Sequence, residues 1–274
     1  MMSEREHSRW SLEDIAFSKI DVNVVRSDEF LFATLASASF VEILAQTYSA
    51  NLTQHFRGNP EITDWLEAHW RPEEVQHGEA LKAYVMAVWP EFDWESGHAH
   101  FTEEYASCCT VEKLEPHLAL ELIARCVVET GTSSFYRAIH DYVREPVLRD
   151  LINKIKMDEA AHYSFFRRHF VAFNAAEHNS TLDVVATIWR RMLEVRGQDA
   201  YIAFKHVHAT RNPAVPVNSA HWRAYSKQVK GLARHFYPYD MAIQMLVKPI
   251  PMAEQLKRPL QWFLVGVAVL ATRF

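Results

Sequence analysis

Four times in this 274-residue chain a glutamate is followed three residues later by a histidine: Glu4/His7, Glu74/His77, Glu95/His98 and Glu159/His162. On a helix with 3.6 residues per turn such a pair projects from one face, one turn apart, and its carboxylate and imidazole can share a metal ion. Context separates the four. Glu4/His7 falls in a polar terminus and Glu95/His98 in a Gly-containing stretch that reads as a loop, so both are expected to be solvated. Glu74/His77 in "PEEVQHGEAL" and Glu159/His162 in "MDEAAHYSFF" sit in apolar-patterned helices, and an extra acid, Glu73 or Asp158, directly precedes each glutamate.

Two isolated acids complete the pattern. Glu42 in "SASFVEILAQ" and Glu129 in "ARCVVETGTSSF" each follow two apolar residues on helices built for burial. A carboxylate in an apolar interior costs several kcal/mol unless it is paired, protonated or bound to a cation. Glu42 precedes Glu74 by 32 residues and Glu129 precedes Glu159 by 30, so one unit occurs twice: a lone Glu, a turn, then Glu-x-x-His. Packed around a shared axis, two such helical hairpins bring four carboxylates and two imidazoles together, the arrangement of carboxylate-bridged two-metal centres in helical bundles. Hard oxygen ligands with one nitrogen per metal suit iron, with manganese possible in place of one or both ions, better than structural zinc. The alternative for the same residues is a set of satisfied core ion pairs.

The elements needed to hold these residues are legible in the periodicity. The chain has 7 Gly and 11 Pro, is 49% hydrophobic, and repeats Ala, Leu, Glu and Arg at helical spacings, which points to an all-α fold. Long helices are expected at about 28–56, 61–89, 116–143 and 146–174, and shorter ones near 180–196, 218–236, 239–248 and 254–272. Breaks fall at 57–61, 89–98, 144–146 and 210–219, where Gly, Pro and Asn cluster. No stretch reads as a linker, so one domain over 1–274 is expected: a four-helix core over about 28–175, with accessory helices over about 180–272 packed onto it.

Net charge is −5, unevenly spread: residues 1–180 carry 16 Lys+Arg against 29 Asp+Glu (−13), and residues 181–274 carry 13 against 5 (+8). The basic C-terminal third is either a solvated face or a docking surface for an acidic partner. Cys108, Cys109 and Cys126 are odd in number and two are adjacent, which disfavours a disulfide framework and fits a reducing cytoplasm. The charged N-terminus lacks a signal-peptide core, and the longest apolar run, Trp262 to Thr272, is too short to span a bilayer. Neither a membrane span nor a nucleic-acid partner is expected.

Over residues 8 to 175 the chain resembles the soluble acyl-carrier-protein desaturases of the ferritin-like superfamily. "WRPEEVQHGEAL" is similar to that family's Trp-rich approach to Glu-Glu-x-x-His-Gly, and "MDEAAHYSFF" to its Asp-Glu-x-x-His followed by a Tyr-containing stretch. "ETGTSSF" reproduces a ligand Glu with Thr132 three residues on, and "RWSLEDI", with Trp10 and Asp14, resembles the Trp-x-x-x-Asp segment before the bundle. The resemblance implies a ferritin-like four-helix bundle with Glu42, Glu74, His77, Glu129, Glu159 and His162 as ligands of two iron ions. It implies that Asp158 accepts a hydrogen bond from the His77 ring and links it to Trp10 as an electron route. Thr132 would donate to oxygen at the metals, with Gly131 and Gly78 leaving room; close helix packing is the other explanation for the glycines. His69, His140 and His169 are read as core or surface residues.

The implied activity is O2-dependent oxidation of an unactivated C–H bond in a hydrophobic, acyl-chain substrate, by desaturation or hydroxylation. Its partners would be an external electron donor such as a ferredoxin, an acyl group on acyl carrier protein or coenzyme A, and a second copy in a homodimer. Arg190, Arg191, Lys227, Lys230 and Arg234 are the candidate carrier-docking residues. Pro72 should restart or kink the second helix. The C-terminal helices do not visibly match the family. Di-iron N-oxygenases carry a further His one turn before the last Glu-x-x-His, where this chain has Ile155 and Lys156. A ferritin-type iron store and a metal-free structural descendant are the readings from other classes; the extra helices argue against the first and the complete ligand set against the second.

Overall fold

The computed structural model describes residues 10–106, 114–194 and 198–273. Among them every regular element is helical and no strand occurs. In chain order the helices are α1 (Val22–Val25), α2 (Glu29–Ile43), α3 (Ala45–His55), α4 (Pro60–Trp65), α5 (Arg71–Val88), α6 (Trp94–Ala106), α7 (Leu118–Tyr142), α8 (Pro146–Glu177), α9 (Thr181–Glu194), α10 (Gln198–Arg211), α11 (Ser219–Phe236), α12 (Tyr239–Val247) and α13 (Glu254–Arg273). The chain divides into two compact units, Met1–Lys113 with Ile202–Pro216, and Leu114–Tyr201 with Val217–Phe274. Each contains one copy of the Glu…Glu-x-x-His pattern.

In the first unit α2 is apolar on all sides and nearly all of it is buried, from Phe30 to Ile43, as expected of a central helix. Asp28 caps it by accepting from the Leu31 amide at 2.9 Å. α5 runs antiparallel beside it: Trp89 lies edge-on to Phe32 at one end, and Gly78 meets Glu42 and Ile43 at the other. Phe40 centres an aromatic cluster with Phe92, Trp94 and Phe101. The single helix expected over 28–56 breaks at Leu44, where α2 and α3 bend by 41°. No Gly or Pro marks that break, and burial continues across it through Ala45, Ser49 and Leu52, so the periodicity hides it.

The second expected helix, 61–89, contains a five-residue π turn at Leu66–Trp70. Proline inside a regular helix lacks an N–H and clashes with the carbonyl four residues back. The wider turn lies immediately ahead of Pro72, which takes a first-turn position in α5. Besides the four-residue α1, two longer helices escaped the sequence reading. α6 begins inside the stretch read as a loop because "DWESG" is a helix start: Asp93 accepts from the Ser96 amide at 3.1 Å. Gly97 serves packing there, since a Cβ would lie 2.9 Å from the Phe40 ring and 3.0 Å from Thr210. α10 is the second, held through buried Ile202, Phe204 and Val207.

In the second unit α7 and α8 form a hairpin. Its direction is fixed by contacts at both levels: the Ala119 amide donates to Glu177 at 3.2 Å and Thr132 reaches Glu159. Buried Glu145 caps α8 by accepting from the Val147 and Leu148 amides at 3.2 and 2.7 Å, with Pro146 opening the helix. α9, α11 and α12 pack on α7, and α13 packs on α11 and α12. The Tyr163 hydroxyl donates to the Met245 carbonyl at 2.7 Å, tying α8 to α12. Glu121, fully buried on α7, pairs with Arg125 at 2.8 Å and Arg191 at 3.6 Å and accepts from the Glu115 amide. Arg190 closes the cluster on Glu115 at 2.6 Å.

That cluster corrects one docking assignment. Arg191 is buried, its pKa lowered by desolvation and then by Arg125, and it is a structural counter-ion that no docking partner can reach. Lys227, Lys230 and Arg234 are exposed on α11. Among the described residues no single helix is long and apolar enough to cross a membrane.

Candidate metal centre

The first unit supplies Glu42 from the last turn of α2 and Glu74 and His77 from the first two turns of α5. Their approach depends on Gly78: a Cβ there would lie 2.7 Å from the Ile43 backbone nitrogen and 3.1 Å from the Glu42 Cβ. Gly78 is therefore explained by close helix packing, the second of the two reasons weighed for it. Glu42, Glu74 and His77 are buried, and each offers a ligand atom within 4.8 Å of the others'. Trp10 is buried against this trio, its indole parallel to the His77 ring (4°) with centroids 6.1 Å apart. The Gln76 side chain donates to the Trp10 carbonyl at 3.0 Å and holds that segment in place. Gln76 was not singled out in the sequence; its place between Glu74 and His77 was the available signal.

The second unit supplies Glu129 from mid-α7 and Glu159 and His162 from mid-α8, again buried and within 4.8 Å of one another. His162 Nδ1 lies 3.6 Å from Glu129 and 4.0 Å from Glu159. Both distances exceed a hydrogen bond. Two ligand atoms bound at about 2.1 Å to one cation stand roughly 3 to 3.6 Å apart at bond angles of 90° to 120°, so the spacing approaches that of a shared ion. The donor chemistry fits as well, since each trio offers two carboxylates and one imidazole in a setting where a bound cation offsets the cost of burial.

Thr132 lies one turn beyond Glu129, and its hydroxyl donates to Glu159 at 2.6 Å. The hydroxyl expected to face oxygen at the metals is thus engaged by the Glu159 carboxylate. Gly131 has open space: nothing lies within 4 Å of a Cβ built there. Asp158 is buried beside Glu159 on α8. Cys126, one turn before Glu129, has its thiol pKa raised well above the usual value by burial and then by the Glu129 charge, so it stays a thiol.

The other Glu-x-x-His pairs separate from these. Glu4/His7 lies outside the described residues. Glu95/His98 is on α6 and not in a loop. Glu95 is exposed and pairs with Lys82 at 2.5 Å, as a solvated acid would. His98 is half-buried, stacked on Trp94 at 4.5 Å, and its pKa is lowered chiefly by burial, so its expected solvation is corrected. His169 packs on Phe165 at 4.2 Å, His140 contacts Asp141 at 2.8 Å, and His69 is half-buried in the π turn. None of the three joins a metal-ligand group among the described residues. No family model matches the chain, and no curated protein is significantly similar to it.

Proposed function

We propose that the two trios together bind a pair of iron ions, with manganese possible in place of one or both, in a ferritin-like bundle. On this reading the protein is an O2-dependent oxidoreductase acting on an unactivated C–H bond of a hydrophobic, acyl-type substrate. The observation that carries it is the twofold occurrence of one buried set: a lone glutamate beside Glu-x-x-His on a neighbouring helix. A bound metal pair supplies the redox chemistry and O2 activation that amino-acid side chains lack.

The chain's own groups have separable tasks. Glu42, Glu74 and His77 would hold one ion, and Glu129, Glu159 and His162 the other. Thr132 holds one oxygen of Glu159 by hydrogen bond and so orients that carboxylate. The parallel Trp10 ring covers His77 and keeps water from it. Asp158, buried beside Glu159 on α8, would accept the remaining ring proton of a ligand imidazole, which would set the tautomer and raise the ligand's basicity. An external electron donor such as a ferredoxin completes the cycle, and the acyl group arrives on a carrier protein or coenzyme A to a homodimer.

Metal analysis of protein from iron-replete cells, with O2 uptake measured after chemical reduction, tests the reading. The expected result is two iron or manganese ions per chain, with Glu42→Ala and Glu129→Ala each losing metal and uptake. Full metal content in both variants refutes the ligand assignment, and metal without O2 uptake refutes the activity.

A further inference from the structure

We propose that α11 and α13 form a docking surface for an anionic lipid membrane, which the protein binds peripherally. α13 is twenty residues long, and none of its described side chains is fully buried. One side packs on α11 and α12; the other presents Leu256, Trp262, Phe263, Val267 and Leu270, between 47% and 67% exposed. The Arg258 guanidinium lies over the Trp262 ring at 5.3 Å. The start of α9, with Leu182 78% exposed, is tied to the segment entering α13 by a 2.6 Å hydrogen bond from Thr181 to the Pro251 carbonyl. A ridge of this size on one helix marks an interaction surface.

The charge around it selects the occupant. From Val217 to the end the chain has eight Lys+Arg and two Asp+Glu, a net +6. On α11, Arg223, Lys227, Lys230 and Arg234 are exposed at spacings of 4, 3 and 4, so they share one helical face. Among the described residues no acid pairs with Arg223, Lys227 or Lys230. A second copy seated on this surface would bring two such cationic segments together, which is unfavourable. An acidic soluble partner matches the cations but gives the Trp262 and Phe263 ridge nothing comparable to enter. An anionic bilayer meets both demands: aromatic and aliphatic side chains enter the headgroup and acyl boundary, while neighbouring cations meet the negative surface. Among the described residues no single helix is long and apolar enough to span, and the proposed association is peripheral.

Co-sedimentation of the full chain with phosphatidylcholine vesicles, with and without phosphatidylglycerol, tests this. Binding is expected to the anionic vesicles, with little to the neutral ones and release at about 0.5 M salt. Each cation removed near the surface should weaken partitioning roughly fivefold, so R223Q/K227Q/K230Q should weaken it about a hundredfold. W262S/F263S should reduce binding as well, with helical circular dichroism confirming that both variants are folded. The salt series on unaltered protein keeps the test decisive if a variant misfolds. No binding to anionic vesicles, binding insensitive to salt, or a dimer that W262S/F263S converts to monomer without any vesicle binding each overturns the proposal.

Discussion

Gly78→Ala tests how the first trio is positioned. The added methyl would lie 2.7 Å from the Ile43 backbone nitrogen and 3.1 Å from the Glu42 Cβ, whereas carbon contacts are most favourable at about 3.5–4.0 Å. The Ile43 side chain can rotate aside, but its backbone cannot, so α2 must move away from α5 by several tenths of an ångström. Such overpacking costs about 1–3 kcal/mol. Replacing a helical glycine by alanine returns about 0.5–1 kcal/mol. The net destabilisation is about 1–2 kcal/mol, roughly 3–6 °C in Tm for a chain of this size. Because the displaced backbone carries Glu42, metal content should fall too. Gly131→Ala is the control: nothing lies within 4 Å of its Cβ, so it should gain the propensity term and raise Tm slightly. Thermal unfolding by circular dichroism and metal analysis of both proteins make the comparison. If Gly78→Ala is as stable as the parent, or the two variants behave alike, close packing does not explain Gly78.

Arg191→Ala leaves Glu121 buried with Arg125 as its remaining cation, and removing one member of a buried ion cluster costs about 3–5 kcal/mol; a Tm within 2–3 °C of the parent would return Arg191 to the surface. Glu91 has its pKa lowered from 4.5 to about 2, first by hydrogen bonding from Arg211, with Arg26 also donating. A depressed carboxyl pKa gives stability that is fully present above the unfolded value, near 4.5, and lost as pH falls toward 2. Glu91→Gln should therefore flatten stability against pH over that window; at pH 7, for a half-exposed pair, the loss should be about 1 kcal/mol or less by urea titration.

Legibility in the sequence followed the length scale of each signal. Four long apolar-patterned stretches announced α2, α5, α7 and α8, because an amphipathic or wholly apolar helix repeats its message over many turns. The break at Leu44 stayed hidden because burial runs through it, and α6 because its capped start and a packing glycine share their residue types with turns. Within the trios, residue type and spacing were enough to nominate the glutamates and histidines, since a buried carboxylate is costly and therefore conspicuous. The direction of the Thr132 hydroxyl was not readable in the same way. A threonine one turn past Glu129 can face the buried trio in more than one way, and which it does depends on how α7 and α8 are staggered. Arg191 failed for a related reason: a charge count cannot distinguish an arginine facing water from one neutralising Glu121 between α7 and α9. Gly78 joins these cases, because what it lacks brings the Glu42 backbone to His77. Side chains nominate the site, and the close approach of α2 to α5 brings the first trio together.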